Sequence, residues 1–197
     1  AKIAVEKMGA DTFYSYLQAF GIGRRTNIDL GGEEITPLSM PEDAGWYPIN
    51  LATNSFGQGV AITPIQMATA ASAIANGGKI MKPHVVKAII NNGKTYETMP
   101  QVLSVPIQEK TAATMNELLT KSLEGGEGSL ALVDGYRVAG KTGTAEVVVN
   151  GKYDPTLSNA SFVGWGPVDD PQFLVYVWVE KPDPTIGYWG SYVAAPV

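Results

Sequence analysis

The stretch GYRVAGKTGTA, residues 135–145, contains two motifs that predict different kinds of protein. Gly135, Gly140, Lys141 and Thr142 have the spacing G-x-x-x-x-G-K-[ST] of a phosphate-binding loop, which predicts a nucleotide-binding protein. The residues from Lys141 to Gly143 also spell K-T-G, a motif of enzymes that attack acyl bonds with a serine. The secondary structure around the stretch distinguishes the two predictions.

A phosphate-binding loop requires a helix directly after its Lys-Thr pair, because the helix N-terminus and the loop N–H groups hold the phosphate together. Residues 143–149 read GTAEVVV, which is a poor helix start and a good strand. The sequence therefore favours K-T-G on a strand. Nucleotide binding remains a minor alternative, which predicts magnesium-dependent ATP or GTP binding through Lys141.

K-T-G on a strand suits a substrate that ends in a carboxylate. Lys141 supplies positive charge, Thr142 and Thr144 supply hydroxyl donors, and Gly143 lets a substrate backbone lie against the strand. Strict pleating places Lys141 on the face opposite the two threonines, so twist or the long lysine stem must bring its ammonium round. The structural alternative is an ordinary edge strand with a solvated lysine.

Composition excludes several classes of function. The 197 residues are 45% hydrophobic and 17% charged, which predicts a globular protein with a substantial core. A net charge of −5 argues against a nucleic-acid partner. There is no cysteine, and the single histidine, His84, is predicted to be an ordinary surface residue, so neither a metal site nor another cofactor is indicated.

The first half of the chain is predicted to contain helices and a long loop. Two short helices are broken near Gly9, and the second is capped by Asp11 and stopped by Gly21. Residues 24–62 are rich in glycine, proline and asparagine and are predicted to be loop. Thr63-Pro64-Ile65-Gln66 is a strong helix start, followed by an alanine-rich, buried helix.

The second half is predicted to be mostly strand, giving an α+β fold in which helices flank an antiparallel sheet. A hairpin turns at Asn92-Gly93, and a helix over 107–123 follows it. Strands are expected at 136–146, 159–166 and 172–180, with the first two joined through Asn150-Gly151. Core packing is expected for a set of strand aromatics and for an apolar helix stripe. These are Trp165, Phe173, Tyr176 and Trp178 on the strands, and Met115, Leu118, Leu119 and Leu123 on the helix.

Six segments in order resemble the C-terminal half of the transpeptidase domain of class B penicillin-binding proteins. They are SFGQG, TPIQMATAASAIANGG, KPHVV, VAGKTGTAE, ASFVGWGPVDDPQFLVYVWVEKP and GYWGSYVAAPV. The resemblance implies a β-lactamase/transpeptidase-like fold in which residues 1–197 are one domain, incomplete at both ends. It also implies two further sheet strands before this chain, which would leave the strand at 172–180 with an unpaired edge. Self-association, a partner or complementation by a missing segment is therefore expected.

The same resemblance implies a peptidoglycan D,D-transpeptidase that acts through a serine acyl-enzyme on D-Ala-D-Ala stem peptides and binds β-lactams. Lys141 would hold the carboxylate and assist proton transfer, Thr142 and Thr144 would donate hydroxyls, and Gly143 would keep the strand open. The Thr144 backbone N–H would form half of the oxyanion hole. The implied parent is anchored at the extracytoplasmic face of the bacterial membrane and works with other cell-wall synthesis proteins.

The other two motifs of that family, S-x-x-K and S-x-N, do not occur in this sequence. The nucleophile is therefore expected outside this chain, which is expected to be a fragment that is inert alone. The alternative is a non-catalytic binding or regulatory module that keeps the same scaffold.

Overall fold

The computed structural model describes all 197 residues and combines five α-helices with seven β-strands. The helices are α1 (Ala10–Ala19), α2 (Pro48–Asn54), α3 (Pro64–Ala75), α4 (Glu109–Glu124) and α5 (Gly190–Val193), with a π-helical turn at Ala4–Met8 and a 3-10 turn at Ser129–Ala131. The strands are β1 (Ile80–Met81), β2 (Ala88–Asn91), β3 (Lys94–Glu97), β4 (Val102–Ser104), β5 (Ala139–Val149), β6 (Lys152–Gly166) and β7 (Phe173–Glu180). The α+β prediction is confirmed.

The main sheet has the order β5-β6-β7 and is antiparallel throughout. Asn150 and Gly151 join β5 to β6 with φ angles of 51° and 77°, the left-handed conformation that a tight hairpin turn requires. Strand β6 begins seven residues earlier than the predicted 159, because the hairpin extends to this turn past a register shift after Glu146. Strands β5 and β7 each have one neighbour in the sheet.

Helices cover both faces of this sheet. Trp165 and Phe162 lie three positions apart on β6, so their side chains point to opposite faces. Trp165 packs with Ala71 of α3 and Ala139 of β5, whereas Phe162 packs with Leu123 of α4 and with Ala194 and Ala195 at the end of α5. Strand β6 is therefore covered on both faces. The two other sheets are the pairs β1–β4 and β2–β3.

The start of α3 forms as its sequence predicts. The Thr63 hydroxyl accepts the Gln66 N–H at 3.3 Å, and the Gln66 side-chain oxygen accepts the Thr63 N–H at 2.9 Å. Pro64 occupies the first helical turn, where its missing N–H is harmless. Gln66, Ala71 and Ala73 are buried, so the predicted burial of this helix is confirmed.

Three local predictions about the helices are wrong. Residues 24–62 contain α2, whose start at Tyr47 and Pro48 is stabilised by an Asn50 side chain that accepts the Tyr47 N–H at 2.7 Å. Asp11 does not cap α1, because the N-cap is Gly9 and Asp11 lies inside the first turn. Leu118 is 56% exposed, because the buried face of α4 is formed by Ala112, Thr120 and Leu123 instead.

Two of the four strand aromatics are also not in the core. Trp165 is buried and Tyr176 is partly buried, but Phe173 is 64% exposed and Trp178 is 46% exposed. Both exposed residues lie on β7, which is an edge strand. The prediction assumed burial from strand position alone, whereas burial here depends on which parts of β7 the helices cover.

Candidate functional site

The K-T-G residues lie in the middle of the edge strand β5. Residues 141–144 pair with residues 160–163 of β6, and the other edge of β5 has no strand beside it. An edge strand leaves alternate backbone N–H and C=O groups unpaired on its outer side. Strand β5 also continues to Val149, so no helix follows Lys141 and Thr142. The phosphate-loop interpretation of this stretch is therefore wrong.

Lys141 and Thr142 contact each other although pleating directs them to opposite faces. The Lys141 Nζ atom donates to the Thr142 carbonyl at 2.9 Å and lies 3.4 Å from the Thr142 hydroxyl oxygen, which accepts. The long stem of Lys141 thus returns its ammonium to the strand edge, as a shared site requires. The Lys141 side chain is exposed and forms no ion pair.

Thr144 is held by α5, a contact that the sequence analysis missed. Its hydroxyl oxygen accepts the Gly190 N–H at 3.0 Å, which leaves the Thr144 O–H free to donate elsewhere. A side chain at Gly190 would collide with the carbonyl oxygens of Gly143 and Ser161. Glycine is therefore required where α5 meets the sheet, and only the resemblance of the segment GYWGSYVAAPV pointed to this region.

Gly143 is crowded from the neighbouring strand. A Cβ atom at this position would lie 2.6 Å from the Ser161 Oγ atom of β6. Burial raises the pKa of Tyr176, and a hydrogen bond with Ser161 opposes that shift. A side chain at Gly143 would therefore require the Ser161 side chain or the strand to move.

Two cavities meet at Lys141 and Thr142. One, of about 220 Å³, has the glycine-rich loop after α4 as one of its walls. It is lined by Ser122, Leu123, Gly126, Glu127, Gly128, Gly140, Lys141 and Thr142. The other, of about 340 Å³, is a largely apolar groove between α3, α4 and the sheet, and Gly143 and Ser161 also line it. The sequence analysis treated residues 125–128 only as a helix stop, so their place beside the lysine was missed.

The residues of this chain do not form a serine–base pair at the site. Ser122 and Ser161 line the two cavities, and neither forms a hydrogen bond with a lysine or a histidine. His84 is exposed, and its Nδ1 atom lies 3.1 Å from the Val86 carbonyl, which confirms its prediction as a surface residue. The described groups can bind an anion, but none of these serines is set up for attack.

Comparisons with known proteins identify the family of this chain. The family model described as "Penicillin binding protein transpeptidase domain" matches residues 1–197. Stage V sporulation protein D of Bacillus subtilis is 41% identical over 195 residues, covering 98% of this chain and 30% of that protein. Penicillin-binding protein PbpB of Mycolicibacterium smegmatis is 32% identical over 188 residues, covering 90% of this chain and 28% of that protein.

Solved structures show the same fold. The transpeptidase domain of penicillin-binding protein 3 from Burkholderia pseudomallei has a TM-score of 0.82 and 29% identity, covering 98% of this chain and 55% of that chain. Penicillin-binding protein 3 of Mycobacterium tuberculosis in complex with ampicillin has a TM-score of 0.81 and 29% identity, covering 88% of this chain and 40% of that chain. The chain thus spans less than a third of the length of the two sequence relatives. It belongs to the penicillin-binding protein transpeptidase domain family.

Proposed function

We propose that this chain supplies the carboxylate-binding and oxyanion-binding wall of a peptidoglycan D,D-transpeptidase whose serine nucleophile lies outside residues 1–197. The observation that carries the proposal is the Lys141 ammonium folded onto Thr142 at the open edge of β5. Membership of the family and the likeness to a structure that holds ampicillin support it. The substrate would be a stem peptide that ends in D-Ala-D-Ala.

The wall binds the terminal carboxylate of the substrate. Lys141 has no acidic partner within the chain, so its charge is available to a ligand. Thr144 keeps its O–H because the Gly190 N–H occupies only a lone pair of the hydroxyl oxygen. Thr142 adds a second hydroxyl beside the ammonium. A β-lactam would use the same groups, because it carries a carboxylate at the equivalent distance from its reactive carbonyl.

The Thr144 backbone N–H acts as one donor of the oxyanion hole. The serine oxygen from the rest of the polypeptide attacks the carbonyl carbon between the two D-Ala residues, and the C=O electron pair moves onto oxygen. Collapse of this intermediate breaks the C–N bond, and the leaving D-Ala amine takes up the proton that the serine hydroxyl lost on attack. The amine of a second stem then attacks the ester carbonyl and displaces the serine, whose oxygen takes up the proton that this amine loses. Loss of one oxyanion donor typically slows acyl transfer about 100- to 1,000-fold.

Location and partners follow from the same proposal. A cross-linking enzyme must reach peptidoglycan, so the protein would act at the extracytoplasmic face of the membrane with other cell-wall synthesis proteins. Within residues 1–197, every helix is too short or too polar to cross a bilayer. Segments outside this chain would provide the anchor. No metal or other cofactor takes part in the proposed acyl transfer.

Labelling with a fluorescent penicillin tests the proposal. Two polypeptides are compared, this chain and one extended upstream by about 150 residues, a usual domain size. We expect the longer polypeptide to label and the 197-residue chain to remain unlabelled. Failure of the longer polypeptide to label would favour the non-catalytic module, and labelling of the shorter one would show that the nucleophile lies within it.

A further inference from the structure

We infer that a second cavity, separate from the K-T-G strand, is a binding site for a carboxylate- or phosphate-sized oxyanion. It has a volume of about 240 Å³ and lies between the end of α1, the loop after it, α3 and the β1–β4 pair. Arg24, Arg25 and Thr69 line it together with Gln66 and Ser104. This inference does not depend on the proposed transpeptidase function.

The backbone acceptors at the end of α1, beside this cavity, are already used. The last carbonyl groups of α1, which would repel an anion, are all paired with donors of this chain. The Leu17 and Gln18 carbonyls accept the N–H groups of Ile22 and Gly21, each at 3.0 Å. The Ala19 carbonyl accepts the Ser104 hydroxyl, also at 3.0 Å. The negative end of the helix is thus masked where the cavity opens.

The two guanidinium groups at this cavity have no partner in the chain. Neither Arg24 nor Arg25 belongs to any of the ion pairs of the chain, and neither guanidinium forms a hydrogen bond. Thr69 is only 9% exposed, and its hydroxyl has no hydrogen-bond partner. The hydroxyl faces the cavity, where it can donate to a ligand oxygen. Two guanidinium groups and a hydroxyl in one cavity are the kinds of donor that bind an oxyanion.

The backbone that carries the two arginines is fixed in advance. The buried Gln66 side chain donates to the Arg24 carbonyl at 2.7 Å. Glu33 accepts the Thr26 N–H at 2.6 Å, the Thr26 hydroxyl at 2.7 Å and the Asn27 N–H at 3.1 Å. Only the side chains of Arg24 and Arg25 therefore have to be ordered when an anion binds, which lowers the entropic cost of binding.

Glu33 interacts with Arg25 through space, but it does not neutralise the site. Burial opposes the shift, but the hydrogen bonds from Thr26 and Asn27 lower the pKa of Glu33, so its charge is directed to those groups. It attracts Arg25 through space without forming an ion pair within 4.0 Å. Both guanidinium groups stay available to a ligand.

Titration with inorganic phosphate, followed by NMR of the arginine side chains or by calorimetry, tests this site. We expect saturable binding that weakens about 10- to 100-fold in the double variant Arg24→Gln/Arg25→Gln, because charge-assisted hydrogen bonds are lost. Thr69→Val should weaken binding severalfold with little change of shape. The matched control is Lys87→Gln/Lys94→Gln, which removes the same charge from the distant β2–β3 hairpin region and should leave the dissociation constant unchanged.

Two further arms make the result decisive. The first asks whether a lipid phosphate is the ligand, by comparing binding to mixed phosphatidylglycerol and phosphatidylcholine vesicles with binding to phosphatidylcholine vesicles alone. If it is, the variants of Arg24 and Arg25 should bind the mixed vesicles more weakly. If the glutamine variant is poorly folded by circular dichroism, Arg24→Lys/Arg25→Lys keeps the charge and should weaken phosphate binding less. Non-saturable binding, or equal weakening in the arginine variant and the lysine control, would overturn the inference. The penicillin-labelling experiment tests the proposed transpeptidase function independently of this cavity.

Discussion

At the scale of single residues, Lys141 combines exposure with a fixed position. Its ammonium donates to the Thr142 carbonyl and has no acidic partner in the chain. The charge is therefore held at the strand edge without being neutralised. This state suits the proposed role, in which the partner of Lys141 is a substrate carboxylate.

We expect Lys141→Gln to slow acylation by a fluorescent penicillin about 10- to 100-fold in a polypeptide that carries the nucleophile. The reason is the loss of a charge-assisted contact of about 1.5–3 kcal/mol. Stopped-flow or timed gel labelling measures the rate. Lys94→Gln, which removes an exposed charge from β3, serves as the control. Equal rates in the two variants would remove Lys141 from the proposed site.

Gly143 allows a prediction about stability alone. Gly143→Ala places a Cβ atom 2.6 Å from the Ser161 Oγ atom, so the serine side chain or the strand must move, and overpacking of this kind costs about 1–3 kcal/mol. The Ser161 Cβ atom would be 3.9 Å away, an ordinary contact. Adding Ser161→Ala should therefore recover most of the loss. Urea unfolding of the single and double variants measures this coupling, and additive losses would contradict the assigned clash.

At the scale of elements, the β2–β3 hairpin is joined to the rest of the molecule through Asp29. The Asp29 carboxylate accepts the N–H groups of Val85 and Val86 at 2.8 Å and 2.9 Å. These hydrogen bonds lower the pKa of Asp29 below its ordinary value of 3.8, with the Val85 contact the largest cause. A depressed pKa means that the contact stabilises the folded state above pH 3.8 and is lost as the pH falls through the folded pKa.

Asp29→Asn should remove this attachment at neutral pH. We expect the amides of Val85 and Val86 to exchange with deuterium severalfold faster in the variant, because the charged acceptor is gone. In the unaltered chain the same loss should appear only on acidification below about pH 4. Glu34→Gln, an exposed acid without a hydrogen bond, is the matched control. Unchanged exchange in Asp29→Asn would show that other contacts hold the hairpin.

At the scale of the whole molecule, β7 presents both an open edge and apolar side chains. It pairs only with β6, and Phe173, Val175 and Trp178 are exposed along it. An open strand of this kind is a template for pairing with another chain. We therefore expect the 197-residue chain to associate with itself as its concentration rises.

Val175→Lys should weaken that association, since a charge on an edge strand disfavours strand pairing. Val175 is 48% exposed, so the change should leave the fold intact. Sedimentation velocity over a range of concentrations measures the effect. Leu118→Lys, an equally exposed position on α4, should associate like the unaltered chain. A chain that stays monomeric at every concentration would contradict the prediction.

Patterns among residues close together in the sequence determined much of the secondary structure of this protein. The Thr63 capping box, the Asn92-Gly93 and Asn150-Gly151 turns and the three main strands were predicted because each depends on local backbone preference and short-range hydrogen bonds. The valines after Lys141 also indicated that the stretch is a strand. The motif letters then identified the residues of the candidate site.

Only the tertiary structure decided which of those residues come into contact and which are exposed to solvent. The hydrogen bond from Gly190 to Thr144 and the close approach of Ser161 to Gly143 join residues that local patterns treat separately. The exposure of Phe173 and Trp178 and the cavity beside Arg24 likewise depend on which elements cover them. Residues distant in sequence contribute to these contacts, and their approach is set by the packing of whole helices on the sheet, which no local pattern encodes.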